Sequence, residues 1–141
     1  MSHQVFDYNA RFLKLSFDRK LLSCWADELY EWLFCIHPSY NDENTFRAKE
    51  IELKQKLVQF IKQTHLYNKN SDTIAESFFN KLPQVHELLK NDLEALFNSD
   101  PAARSIDEVL YAYPGFYASS MHRLAHELFR LNIPIIPRLL S

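Results

Sequence analysis

His122 and His126 stand four residues apart in the stretch "YPGFYASSMHRLAHEL", Tyr113 to Leu128. On a helix that spacing puts both imidazoles on one face, where a pair of metal ligands would sit. A zinc-protease helix also needs a glutamate directly after its first histidine, as in H-E-x-x-H. Arg123 fills that place, and a cation beside a metal would oppose its binding. No cysteine cluster accompanies the pair in sequence. The pattern favours structural histidines that bond to neighbouring backbone or carboxylates, Glu127 among them, and no metal is expected. A small metal-dependent hydrolase using His122 and His126 is a rival reading. Ser119 and Ser120 raise the question of nucleophilic catalysis, but both fall inside the same helical pattern. They lack the strained strand-to-helix turn that exposes a nucleophile. The third candidate is Asp100 in "NSDPAARSIDEV". Its position before Pro101 is that of a helix N-cap followed by proline at the first helical position.

The bulk properties exclude several function classes. The 141 residues fit one domain, long enough to bury a substantial core. With 16 Lys and Arg against 18 Asp and Glu, the net charge of −2 is too balanced for an electrostatic nucleic-acid binder. The main basic stretch, around Lys54, Lys56 and Lys62, is interleaved with Glu50 and Glu52 and reads as a solvated helix face. Cys24 and Cys35 lie in an apolar, aromatic segment without CxxC spacing, and are expected to be buried thiols. The N-terminus lacks the apolar run of a signal peptide, and no stretch reaches the ~18 apolar residues that span a bilayer. A soluble, cytoplasmic protein without a membrane partner is expected.

The elements that would position these residues are helical. A single glycine, Gly115, in 141 residues leaves little material for tight β turns or a phosphate-binding loop. Met1 to Phe17 could be an irregular arm or a short helix packed on the body, using Phe6, Tyr8, Phe12, Leu15 and Phe17. Leu22, Trp25, Leu29, Trp32 and Leu33 repeat at helical steps and predict a helix from Asp18 to about Ile36, ended by His37-Pro38. After a loop at "SYNDEN", a long helix from about Glu43 to His65 would bury Phe46, Leu53, Leu57, Phe60 and Ile61. Its outer face would pair Glu50 with Lys54 and Glu52 with Lys56.

The segment "YNKNSD" breaks that pattern. Asp72 to Lys81 then reads as a short helix with Ile74, Phe78 and Phe79 inward. Pro83 suits the first turn of the next, with a bend near Leu82 as the alternative. That helix would run to Asn98 with Val85, Leu88, Leu89, Leu93 and Leu96 on its apolar face. A short turn over Pro101–Arg104 precedes a capping box of Ser105 and Glu108, and the helix it starts should end by Tyr113. Pro114 starts a further helix to about Leu131. In "NIPIIPRLLS", Pro134 and Pro137 predict an extended or turn-like link. The sum is an all-α domain, an irregular bundle of five or six helices.

The C-terminal third, "LEALFNSDPAARSIDEVLYAYPGFYASSMHRLAHELFRLNIPIIPRLLS", resembles the segment preceding the catalytic domain of serine O-acetyltransferases. Asp100-Pro101-Ala102 matches that family's acidic "DPA" motif. Gly115-Phe116 matches its "GF" or "GL", and "HRLAHELF" from His122 to Phe129 its "HRIAHWLW"-like helix. The closing "IPIIPRLLS" is similar to the linker into a left-handed β-helix. The likeness is specific over about 45 residues and weak over the first 95. The chain departs from the family at Tyr117, where histidine is common, and at Glu127, where tryptophan is common.

The resemblance implies that residues 1–133 are the N-terminal helical assembly domain of such a transferase and 134–141 a linker toward its β-helix. That glycine-rich catalytic domain cannot be held in a chain with one glycine. The family transfers acetyl from acetyl-CoA to the hydroxyl of L-serine, giving O-acetylserine for cysteine biosynthesis. Its catalytic base and its site for acetyl-CoA, the co-substrate, belong to the missing domain, so this part is expected to be inactive and to bind no cofactor. By the match, Asp100 would hold the ammonium group of L-serine, with cysteine competing at the same pocket. Pro101, Ala102, Gly115, Phe116, His122, Arg123 and His126 would be structural: Gly115 at a turn or a close helix contact, the histidines docking their helix. Family members are typically hexamers, dimers of trimers joined through these domains, and a C-terminal tail can bind cysteine synthase. The load of 11 Phe, 7 Tyr and 2 Trp exceeds what a small bundle must hide and suits an interface between copies. A stand-alone helical interaction module is the principal alternative.

Overall fold

The computed structural model describes residues 2–12, 17–64 and 70–140. Leu15, His65 and the first half of the "YNKNSD" break lie outside them, as does the side chain of Phe12. The elements run α1 (Ser2–Phe12), α2 (Arg19–Leu33), a 3-10 turn (Pro38–Asn41), α3 (Glu43–Gln63), α4 (Ser71–Ser99), α5 (Ile106–Ala112), α6 (Pro114–Arg130) and α7 (Ile136–Leu140). No strand occurs among the described residues, and the all-α expectation holds. Among the described residues seven helices replace the expected five or six, because two predicted helices fuse and the two chain ends add one each.

Local chemistry sets the boundaries. Asp18 caps α2 by accepting the amides of Lys20 at 2.9 Å and Leu21 at 3.3 Å. Asp42 caps α3 through the Thr45 amide and hydroxyl at 3.1 and 2.8 Å, and these two bonds hold its carboxyl below the usual range. The 3-10 turn of Pro38–Asn41 fills what the sequence marks as a loop. Helix α2 stops at Leu33 rather than Ile36 because Cys35 turns left-handed, at φ 50°. Its amide bonds the Trp32 carbonyl at 3.1 Å and that of Ile36 bonds Glu31 at 2.9 Å, a Schellman closure. Asn132, at φ 61°, ends α6 in the same way through the Phe129 and Leu128 carbonyls.

Helix α4 runs unbroken through Pro83. The proline removes one intrahelical bond, but Pro83 is exposed while Phe78, Leu82, Val85 and Leu89 keep one continuous buried stripe. Packing across that stripe overrides the break that the sequence predicts. Leu88 is not on the stripe; it is 50% exposed. At the chain's end, Ile136–Leu140 forms a helix where the prolines predict an extended link. Burial of Ile133, Ile136 and Pro137 anchors it against α2 and α6. Ile135 enters it at φ 70°, a conformation that costs a β-branched residue on the order of 1–3 kcal/mol. Residues 2–11 of α1 are all exposed, whereas Phe17, the last residue of the expected arm, packs on the body with its ring centroid 5.8 Å from that of Phe60.

The core joins α2, α3, α4 and α6. Trp25 is 1% exposed and donates its indole N–H to the Leu53 carbonyl at 2.9 Å. Trp32 does the same to Phe46 at 2.9 Å while stacking on that ring at 4.7 Å. Leu57, Ile61, Phe78, Leu89, Leu124 and Leu128 complete it, each contributing about 1.5–3 kcal/mol by burial. Both tryptophans and most of the phenylalanines outside α1 therefore serve the core. Cys24 and Cys35, expected to be buried, are exposed free thiols, because α2 turns its tryptophans inward instead. Glu52 pairs with Lys56 at 3.0 Å as predicted. Lys54 reaches across to Glu76 of α4 at 2.9 Å rather than back to Glu50.

Candidate functional site

The "DPA" motif forms a tight turn between α4 and α5. Asp100 is the C-cap of α4, in extended conformation at φ −104°, ψ 106°. The expected N-cap role is thus realised on a turn and not on a helix. Asp100 Oδ1 accepts the Ala102 amide at 2.9 Å, and the Asp100 carbonyl accepts the Ala103 amide at 3.2 Å. Pro101 supplies the fixed φ that the second position of such a turn favours. Ser105 then caps α5, its Oγ accepting the Glu108 amide at 3.2 Å.

Helix α5 is short, and it delivers Tyr113 back to the start of the motif. Tyr113 donates its hydroxyl to Asp100 Oδ2 at 2.5 Å. The partly exposed carboxylate therefore has one bond on each oxygen. The Tyr113 hydroxyl, followed by the Ala102 amide, holds the Asp100 carboxyl below the usual carboxylate range. The same bond pushes the Tyr113 phenol up to about 12. A negative charge with fixed orientation, reachable from solvent, can receive an ammonium or another cationic donor. The sequence carried one signal for Tyr113, its place between a capped helix and the proline that starts the next.

His122 and His126 do share one face of α6, but they are exposed and make no hydrogen bond or ion pair within the described residues. The expected bond to Glu127 is absent; Glu127 faces Arg130 at 4.0 Å. Arg123 leaves the histidines and crosses to Asp92 of α4, with Nε at 3.0 Å and Nη2 at 2.9 Å from the same carboxylate oxygen. An open groove of about 650 Å³ between α4 and α6 is lined by Leu88, Asp92, Ser119, His122, Arg123 and His126, among others. Among the described residues no set of three His, Cys, Asp or Glu side chains is placed to hold a metal. Ser120 is buried and donates its hydroxyl to the Phe116 carbonyl at 2.8 Å; Ser119 makes no bond to His122.

Gly115 makes no close helix contact and adopts no left-handed turn conformation. A Cβ added there would meet nothing within 4 Å, and its φ is not positive. It sits in the first turn of α6, beside a second groove of about 460 Å³ that Tyr113 also lines. Its neighbour Phe116 is buried, with ring centroids 5.6 Å from Phe34 and 6.4 Å from Tyr30. Tyr30 donates to the Leu110 carbonyl at 3.0 Å and so ties α5 to α2. Tyr117, the first departure from the family pattern, donates its hydroxyl to Asp27 of α2.

A helical domain with a doubly bonded, solvent-accessible carboxylate in a "DPA" turn is the class that fold and site define. Residues 41–120 match the family model described as "Serine acetyltransferase, N-terminal". The match covers more than half of the chain, and the chain belongs to that family. A plasmid serine acetyltransferase of Synechococcus elongatus is 39% identical over 72 residues, 51% of this chain and 23% of the relative. A second serine acetyltransferase of that organism is 53% identical over 57 residues, 40% of this chain and 23% of the relative. A Bacillus subtilis serine acetyltransferase is 43% identical over 54 residues, 38% of this chain and 25% of the relative. The chain matches about a quarter of the length of these relatives. The family match begins at Asn41, so the likeness reaches back through α3 and α4, well upstream of the motifs that first suggest it. No described helix is long and apolar enough to cross a membrane.

Proposed function

We propose that this chain is the N-terminal helical domain of a serine O-acetyltransferase, an enzyme that moves acetyl from acetyl-CoA to the hydroxyl of L-serine and so feeds cysteine biosynthesis in the cytoplasm. The domain assembles the enzyme and contributes Asp100 as the acceptor for the substrate's ammonium group. It contributes no catalytic base, which belongs to the part of the transferase outside this chain. The observation that carries the reading is the family match spanning the turn in which Asp100 stands ionised, fixed and accessible.

In the full-length transferase, Asp100→Ala should raise the KM for serine more than tenfold, because a charge-assisted contact is lost, while the KM for acetyl-CoA stays within twofold. An unchanged serine KM would remove Asp100 from the site.

Self-association follows from the same reading, with copies joined through these domains into a dimer of trimers. It is supported by large apolar side chains left open on the helical body, among them Leu21 and Ile51 at 58% and Phe129 at 63% exposure. Sedimentation of the chain at high concentration tests this, and a strict monomer would contradict it.

A further inference from the structure

We propose that Tyr113 is a positioning residue for substrate binding: its hydroxyl fixes the plane of the Asp100 carboxylate so that the free lone pairs of both oxygens face an incoming ammonium group. The inference rests on the reading of Asp100 as the serine-binding carboxylate, and the test below separates the two.

The geometry carries it in three steps. Asp100 alone is poorly constrained, since it follows the last residue of α4 and is partly exposed. An exposed carboxylate held by one bond can still swing about its Cβ–Cγ axis. The Ala102 amide pins Oδ1 at 2.9 Å, and the Tyr113 hydroxyl pins Oδ2 at 2.5 Å. Two donors on two oxygens define a plane.

Tyr113 is itself fixed. It is at once the C-cap of α5 and the N-cap of α6. Its amide donates to the Val109 carbonyl at 3.2 Å, and its carbonyl accepts the Phe116 and Tyr117 amides at 3.1 and 3.3 Å. Pro114, directly after it, narrows its backbone further. The bond to Asp100 therefore ties together two helix ends 13 positions apart in sequence rather than joining two mobile side chains.

The arrangement leaves capacity for a ligand. An ionised carboxylate offers about four acceptor sites, and the turn and the tyrosine use one on each oxygen. The tyrosine is a neutral donor, so it orients the charge without cancelling it. A lysine or arginine in its place would compete with the substrate cation for the same oxygens. Preorganisation of this kind lowers the cost of binding by holding the acceptor where the ligand needs it.

The experiment compares Tyr113→Phe, Asp100→Ala and the double variant in the full-length transferase, with serine and acetyl-CoA varied in turn. Phenylalanine keeps the ring and removes only the hydroxyl. The expected result is a rise of about fivefold in the serine KM for Tyr113→Phe, with kcat and the acetyl-CoA KM within twofold. In the Asp100→Ala background the same substitution should add nothing, because its effect runs through the missing carboxylate. If Asp100→Ala raises the serine KM and Tyr113→Phe does not, the tyrosine has no positioning role and the aspartate reading stands. If Tyr113→Phe worsens both KM values alike, or adds its full effect to Asp100→Ala, its role is general structure and the proposal is overturned. If Asp100→Ala leaves serine untouched, the aspartate reading fails and the proposal fails with it.

Discussion

Arg123 on α6 reaches over the groove to Asp92 on α4 and places two guanidinium nitrogens, at 3.0 and 2.9 Å, on one carboxylate oxygen. The pair joins the helix that ends the family match to the longest helix of the bundle. The side chains are 39% and 42% exposed, so solvent screens the attraction and the coupling should be about 0.5–1 kcal/mol. A double-mutant cycle of Arg123→Ala and Asp92→Ala, read by denaturant unfolding, checks it. A coupling near zero would make the contact incidental.

The two histidines beside that pair should be dispensable for folding. His122→Ala and His126→Ala should each change stability by no more than about 0.5 kcal/mol, since neither side chain is buried or bonded. A loss of 2 kcal/mol or so in thermal or chemical unfolding would show a docking role that the structure does not contain.

Trp25 should behave in the opposite way. Trp25→Phe keeps an aromatic ring but leaves the buried Leu53 carbonyl without its indole donor. The cost should be about 1–3 kcal/mol. Urea unfolding followed by the fluorescence of the remaining Trp32 reports it directly.

The Asp100–Tyr113 bond predicts a pH signature at both ends of the scale. The Asp100 carboxyl lies below its ordinary value, so its contribution to stability is present above the unfolded carboxylate range and disappears as pH falls through the lower, folded value. The Tyr113 phenol lies above its ordinary value, so its contribution is present below about 10 and disappears as pH rises through about 12. An NMR titration of the two side chains should show both shifts, and Tyr113→Phe should return Asp100 toward the ordinary carboxylate value. A carboxyl titration unchanged by that substitution would mean that the bond does not form in solution.

Ser105→Ala should weaken the junction from the other side. The serine caps the seven-residue helix that carries Tyr113 back to Asp100, and loss of such a cap costs about 1 kcal/mol. Hydrogen exchange at the amides of 106–112 should accelerate relative to those of α4.

The parts of this molecule that could be read from sequence are those whose cause is local. Ser105 lies three residues from the amide it caps, and Pro114 starts its helix by its own ring geometry. The stripe of Leu53, Leu57, Phe60 and Ile61 is buried as its period requires. The misreadings share a different origin. Pro83 is a helix breaker by local rules, but a continuous buried face on both sides of it holds α4 together. Cys24 and Cys35 look apolar in context, yet the orientation of α2 is set by Trp25, Leu29 and Trp32, whose burial leaves the thiols outside. The candidate aspartate was legible from its motif. Its partner was not, because a contact across 13 residues depends on where a whole helix points.

The exposed thiols at positions 24 and 35 have a practical use. They are the chain's only cysteines, and they lie near the middle and just past the end of α2, a helix whose inward face is locked by two tryptophans. Spin labels or fluorophores attached there without any engineered cysteine would give a ruler along α2 within one copy. Between copies, the same labels would report how close neighbouring subunits bring that helix, so the native chain carries its own probes for mapping an assembly.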